Sequence, residues 1–284
     1  QLIDWWHAPV PGENFDHRGN LISSVIRPGA IYGLSEIVNI SATSTFGIRT
    51  MEYDGENESV HHRDEHTGND FDNAKGGYLG DTKIVLRYLL KNTGVGDGYR
   101  IIMGGGLNIP SKNTLTKNPF LKIDNEYIPH RHFSMSNGTY NLISEFQFYY
   151  KRTANPVFFG GNISFEKPLK ENSYYYLPPS SLKIMLSTIY KTFDKIDGSI
   201  DFSLSLESLS KAYWNDVHSP NSSAFIATPS IGYIFSTRLG AIGVNLQKPI
   251  FLEGSFAANE DNLDQETEVW QLVLSFRSMA TKLN

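Results

Sequence analysis

Eight histidines are the residues of this chain best suited to chemistry. "HHRDEH" brings His61, His62 and His66 together, and "PHRHF" supplies His130 and His132. Carboxylates crowd the first group: Glu52, Asp54, Glu56, Glu58, Asp64, Glu65, Asp70 and Asp72. Imidazole nitrogens with carboxylate oxygens are the donor set of zinc, copper or nickel sites. His62 and His66 stand four apart, a ligand spacing on a helix, yet the Gly and Asn nearby make this segment a loop. The acidic residues also suit Ca²⁺, although "DFDN" lacks the rest of an EF-hand loop. The plainer account is a solvated polar surface, because loops hold ligand geometry loosely. No resident cofactor is expected. A divalent metal at His61, His62, His66, His130 and His132 is the one ligand these residues admit.

A second set of chemically active side chains is spread along the chain with a different logic. "SIDFSLSLE" places Ile200, Phe202, Leu204 and Leu206 on one face and Asp201, Ser203, Ser205 and Glu207 on the other. A period of two is a β-strand with one apolar and one polar face. "TKIVLRYLL", "YNLISEFQFYYK", "LKIMLSTIYK" and "WQLVLSFR" repeat the pattern, as does "VNISATSTFGIR". The polar faces of these and the weaker strand segments, "NISFEKP" among them, carry Lys83, Arg87, Glu145, Lys151, Glu166, Lys183, Asp201, Glu207 and Arg277. In a soluble sandwich the leucines would be hidden and these charges would face water. In a membrane barrel the leucines would face lipid and the charges would line a lumen.

Composition narrows the choice. The 284 residues carry a net charge of -5, which gives no electrostatic case for a nucleic-acid partner. Cysteine is absent, so disulfides, thiolate catalysis and cysteine metal sites are excluded. Only 19% of residues are charged and 13% are aromatic. No apolar run reaches the roughly 18–20 residues of a membrane helix, and a β-barrel is the membrane architecture compatible with such a profile. Numbering opens at Gln1 without a signal peptide, as expected of a mature exported chain.

Loop lengths decide between sandwich and barrel. Short connections at 34–36, 92–98, 153–156, 194–198 and 236–239 alternate with long ones near 53–76, 111–136, 168–180, 212–223 and 254–266. Outer-membrane barrels have this asymmetry, with tight periplasmic turns and longer extracellular loops, whereas Greek-key sandwiches do not produce it systematically. Arg or Lys facing lipid at the midplane costs about 2–4 kcal/mol, so the charged rows must face inward. The fold expected is therefore all-β: a transmembrane antiparallel up-and-down barrel. About 11 strands follow residue 20, and an even total of about 12 requires one more from "LIDWWHAP". Residues 1–20 are read as an N-terminal segment with that first strand and an outer loop, in which His7 and His17 fall, and 21–284 as the barrel. Pro110, Pro168 and Pro249 are expected near the outer ends of rising strands, where a missing N–H is tolerated.

Several stretches together also carry a family likeness. "YGLSEIVNISATSTFG", "GGYLGDTKIVLRYLL", "IIMGGGLNIPSKN" and "IGVNLQKPIF" span most of residues 30–276. They resemble the outer-membrane "meta-pathway of phenol degradation" (MetA-like) family of β-barrel channels. The resemblance implies a channel of the bacterial (Gram-negative) outer membrane for small organic compounds, and it brings no catalytic residues. The chain departs from the usual pattern in running past Phe276 into "RSMATKLN".

Function follows as an expectation: a porin-like channel, not an enzyme, for passive transport of small solutes, hydrophobic or aromatic ones included. Its partners would be membrane lipid and lipopolysaccharide, and a small-molecule solute. Lys83 and Arg87 would then face Asp201 and Glu207 across the lumen, with weak ion selectivity from the mixture of signs. A non-conducting barrel that docks partners through its outer loops is the alternative. "HFSMSNG" also resembles the His-x-Ser arrangement of outer-membrane phospholipase, with His132 and Ser134 on one face, but no third partner is evident.

Overall fold

The structure is a computed structural model, and it describes residues 1–9, 14–55, 57, 62, 64–123, 126–127, 133–192, 198–220, 222–254, 257 and 264–279. Its barrel strands are β1 (Leu2–His7), β2 (His17–Ile26, resuming as Gly29–Gly33), β3 (Val38–Tyr53), β4 (Leu79–Asn92), β5 (Gly98–Ile109) and β6 (Asn141–Lys151). There follow β7 (Phe158–Pro168), β8 (Ser181–Thr192), β9 (Gly198–Leu209), β10 (Ala224–Thr237), β11 (Gly240–Gln247, resuming as Ile250–Gly254) and β12 (Gln265–Arg277). Each strand pairs antiparallel with its neighbours in sequence, and β1 pairs with both β2 and β12. The sheet thus closes into a twelve-stranded up-and-down barrel, matching the expectation from period and loop length. No helix occurs among the described residues.

Alternation decides the two faces. Leu86, Leu186 and Leu204 are 49%, 50% and 40% exposed, while Val85 and Ile143, one position out of phase on their strands, are 5% and 6% exposed. In a closed barrel the buried set is the interior, so the leucines face outward. Directly paired residues share a face, which carries the assignment around the wall: Tyr88, Met103, Phe146 and Ile163 form one outward row. That apolar surface is what a lipid environment would cover.

Proline and glycine punctuate the strands. β2 is broken at Arg27–Pro28 and β11 at Lys248–Pro249. Pro229 stands inside β10, paired with Leu204, and its carbonyl accepts a hydrogen bond from Lys248 N at 3.1 Å, beside the break in β11. A proline without a ladder donor is tolerated beside such an interruption. The turn before β3 is tied by Ser35 Oγ, which accepts from Val38 N at 3.1 Å. Because β1 has only six residues, no strand among those described pairs between Val25–Gly33 of β2 and Gln271–Arg277 of β12.

Candidate functional site

The paired charges of the interior come from the inward rows of β4–β9. Glu145 on β6, Gly104 on β5 and Arg87 on β4 lie in register. A Cβ on Gly104 would sit 2.6 Å from Glu145 Cγ. Glycine therefore leaves the gap over which Arg87 and Glu145 meet, joined by Nε to Oε1 and by Nη2 to Oε2 at 3.1 Å. The same guanidinium donates through Nη1 to Ser41 Oγ at 2.7 Å, and Gln147 Nε2 donates to Glu145 Oε1 at 2.7 Å. A two-pronged guanidinium–carboxylate pair is the strong form of this contact. In the sequence "MGGGL" reads only as small residues in a strand; its use becomes visible once the register is known.

One layer toward the long loops, Lys83 Nζ lies 2.5 Å from Glu166 Oε2. Asn141 Nδ2 and Asn108 Nδ2 donate to Glu166 Oε1 at 2.8 and 3.1 Å, and Asn108 Nδ2 also lies 2.8 Å from Asp81 Oδ2. Lys183 meets Glu207 across β8 and β9 at 3.4 Å, and Ser181 Oγ donates to the other carboxylate oxygen at 3.0 Å. Lys83 and Arg87 thus find carboxylates a few strands along the same wall, Glu166 and Glu145, rather than Asp201 and Glu207. Asp201 is inward on β9, opposite Gly232, and forms no ion pair among the described residues. Lys151 Nζ donates to the Gly94 carbonyl at the short-turn end. Arg277 ends β12 at that same end, opposite Ala241, and is exposed.

The long connection between β5 and β6 turns back into the barrel. Met135 occupies the space a side chain on inward-facing Gly47 would take. The Ser134 carbonyl accepts from Arg49 Nη1 at 3.4 Å, and Ser136 N donates to the Asn113 carbonyl at 3.0 Å. Phe133 is fully buried, 6.3 Å from the Phe71 ring centre. This segment narrows the interior near β3 and β4. Of the His132/Ser134 pair considered from sequence, His132 lies outside the described residues.

Of the five candidate metal ligands, His61, His130 and His132 lie outside the described residues. His66 is exposed, pairs opposite Thr50 and accepts from Gly68 N at 3.0 Å through Nδ1. His62 lies elsewhere, beside His7 and His17, with His7 Nε2 to His62 Nε2 at 3.0 Å. His7 and His17 are direct cross-strand partners at the long-loop end of β1 and β2, on the inward face shared by Trp5 and Gly19. Sequence reasoning places both in an outer loop; the available signal was the alternation of "IDWWH" against "HRGNL".

These features define a closed, twelve-stranded barrel with an apolar exterior and a polar, charge-paired interior. In fold the chain is similar to the crystal structure of an outer membrane channel from Pseudomonas putida F1, with a TM-score of 0.50 and 10% identity, covering 97% of this chain and 94% of that one. No protein-family model matches the chain, and no curated protein matches it in sequence.

Proposed function

We propose that the protein is a passive outer-membrane channel for small solutes, hydrophobic or aromatic ones included. The observation that carries this reading is the closed barrel whose inward rows are polar while its outward rows are exposed leucine, isoleucine and aromatic side chains. Such a shape is soluble in lipid and wet inside. The likeness in fold to the Pseudomonas putida outer membrane channel supports the reading, as does the MetA-like resemblance of "IIMGGGLNIPSKN" and its companions. On this reading the short turns are periplasmic, the long loops are extracellular, and the partners are membrane lipid and lipopolysaccharide.

Paired charges along one wall make a screened passage, and Asp201 supplies an inward carboxylate without a cationic partner among the described residues. Reconstituted in a planar bilayer, the full chain is expected to conduct in discrete steps with a mild cation preference. Asp201→Asn should move the reversal potential under a salt gradient toward zero. A natively folded barrel that does not conduct would overturn the channel reading. It would favour the second one, a docking barrel closed by its own loop, which the seating of Met135 against Gly47 supports.

A further inference from the structure

We propose that His7, His17 and His62 form a binding site for one divalent transition metal ion, of the zinc, copper or nickel kind, inside the long-loop mouth of the barrel. Each offers a ring nitrogen, and the three atoms lie within 4.8 Å of one another. The His7 and His17 rings are stacked, with centroids 4.6 Å apart and planes inclined by 12°, because the two residues are direct partners across β1 and β2. Two ligands therefore stand on paired strands, and only His62 comes from a loop. That answers the usual objection to loop histidines, which is that nothing preorganises them.

The hydrogen bonds supply the chemistry. His7 Nδ1 lies 2.7 Å from the Ala8 carbonyl, and a carbonyl only accepts, so Nδ1 carries the proton and Nε2 carries a lone pair. A ring N–H held by a backbone carbonyl is the usual outer support of a metal-bound imidazole. His62 Nε2 faces that lone pair at 3.0 Å and, in the metal-free protein, donates its N–H to it. When the ion enters, the His62 proton moves to Nδ1, both Nε2 atoms coordinate, and no oxidation state changes. Tetrahedral zinc with Zn–N bonds of about 2.0–2.1 Å holds its nitrogens about 3.3 Å apart. The His7–His62 separation is within tenths of an ångström of that value. The remaining separations, all within 4.8 Å, would need to close by no more than about 1.5 Å, within the reach of side-chain rotation.

The surroundings are largely aromatic and shield the group from water on one side. His17 is fully buried. Trp5 packs on His62 with centroids at 4.4 Å, Phe15 on His17 at 5.0 Å, and Tyr53 on His62 at 5.9 Å. Three imidazoles, with no carboxylate in the group among the described residues, select borderline metals over Mg²⁺ or Ca²⁺, which demand oxygen ligands. The site goes beyond the channel reading and does not depend on conduction.

The test uses tag-free, EDTA-stripped full chain in detergent, titrated calorimetrically with ZnCl₂, then with CaCl₂. One equivalent of Zn²⁺ and no Ca²⁺ should bind. His7→Ala and His62→Ala should each weaken Zn²⁺ binding at least about ten-fold, and His66→Ala should leave it unchanged. His62 is the decisive position, because its removal disturbs no barrel strand. Each variant is checked for the fast migration of a folded barrel on unheated gels. Absence of Zn²⁺ binding by the natively migrating protein would overturn the site. So would an affinity unchanged in His62→Ala, or one lost equally in His66→Ala.

Discussion

The barrel interior has two unlike walls. From β3 to β7 the inward rows carry Arg87, Lys83, Glu145 and Glu166, each bonded to its opposite and buttressed by Ser41, Asn108, Asn141 and Gln147. From β9 to β12 the corresponding positions are mostly Ser203, Ser205, Ser230, Asn245, Gln247 and Gln271, with Asp201 and Glu207 as inward carboxylates on β9. On this second wall Ser203 and Ser230 hydroxyls meet at 2.5 Å. One wall holds several charges by pairing them; the other carries few and fills its inward positions with neutral polar groups. A charge inside a narrow, partly dehydrated barrel is costly unless it is paired and hydrogen-bonded, so both are solutions to the same electrostatic problem.

Unpairing the charged wall should have the largest effect. The Glu145 side chain is 9% exposed, and Arg87→Ala would strand its carboxylate inside. Unfolding by urea in lipid vesicles should show a loss of about 3–5 kcal/mol. Arg87→Met with Glu145→Leu should recover most of it, since an apolar pair leaves no charge behind. A single variant as stable as the parent would mean that water already solvates the pair.

Next in size is a test of the outer face that both walls share. Leu204→Arg turns a charge toward lipid and should cost about 2–4 kcal/mol, whereas Glu207→Gln, inward on the same strand, should fold normally. Equal tolerance would reverse the assignment of inside and outside.

The Lys183–Glu207 pair lies where the two walls meet, and its side chains are 46% and 30% exposed. Lys183→Met should therefore change stability by less than about 1 kcal/mol, measured in the same urea series. A loss as large as that of Arg87→Ala would extend the charged wall as far as β9.

The smallest effect is expected outside the barrel. Asp97 accepts Thr153 N at 2.6 Å and Thr153 Oγ1 at 2.9 Å, tying two short turns together. Those two hydrogen bonds hold its carboxyl below the usual aspartate range. A depressed value means the contribution is present above the unfolded-state pKa and is lost as pH falls through the folded-state one. Asp97→Asn should be slightly less stable than the parent at neutral pH, and the two should converge in acid. A difference that persists at the lowest pH would assign the effect to something other than ionisation.

Much of this was legible in one dimension. The alternation in "SIDFSLSLE" and "TKIVLRYLL" is a local property, since successive side chains of a strand point to opposite faces whatever the strand pairs with. It sorts Leu204 from Asp201 and Leu86 from Arg87. Alternating short and long connections then imply an even, up-and-down barrel, because hairpins join neighbours and leave little topological choice.

Partnership was decided elsewhere. Whether Arg87 meets Glu145 or Asp201 depends on strand register around a closed sheet, a sum of pairings that no single strand encodes. Gly104 acquires its purpose only when that register sets it between the two. The turn of Ser134 and Met135 into the interior depends on inward glycine space far away in sequence, at Gly47. The histidines show the same division most plainly. "HHRDEH" groups His62 with His66 along the chain, but strand pairing sends His66 outward with Thr50 and brings His62 to His7 and His17. Sequence proximity set what the loop could offer; the register of β1 on β2 and of β2 on β3 decided which imidazoles meet, because it sets His7 against His17 and brings the loop that follows β3 beside them.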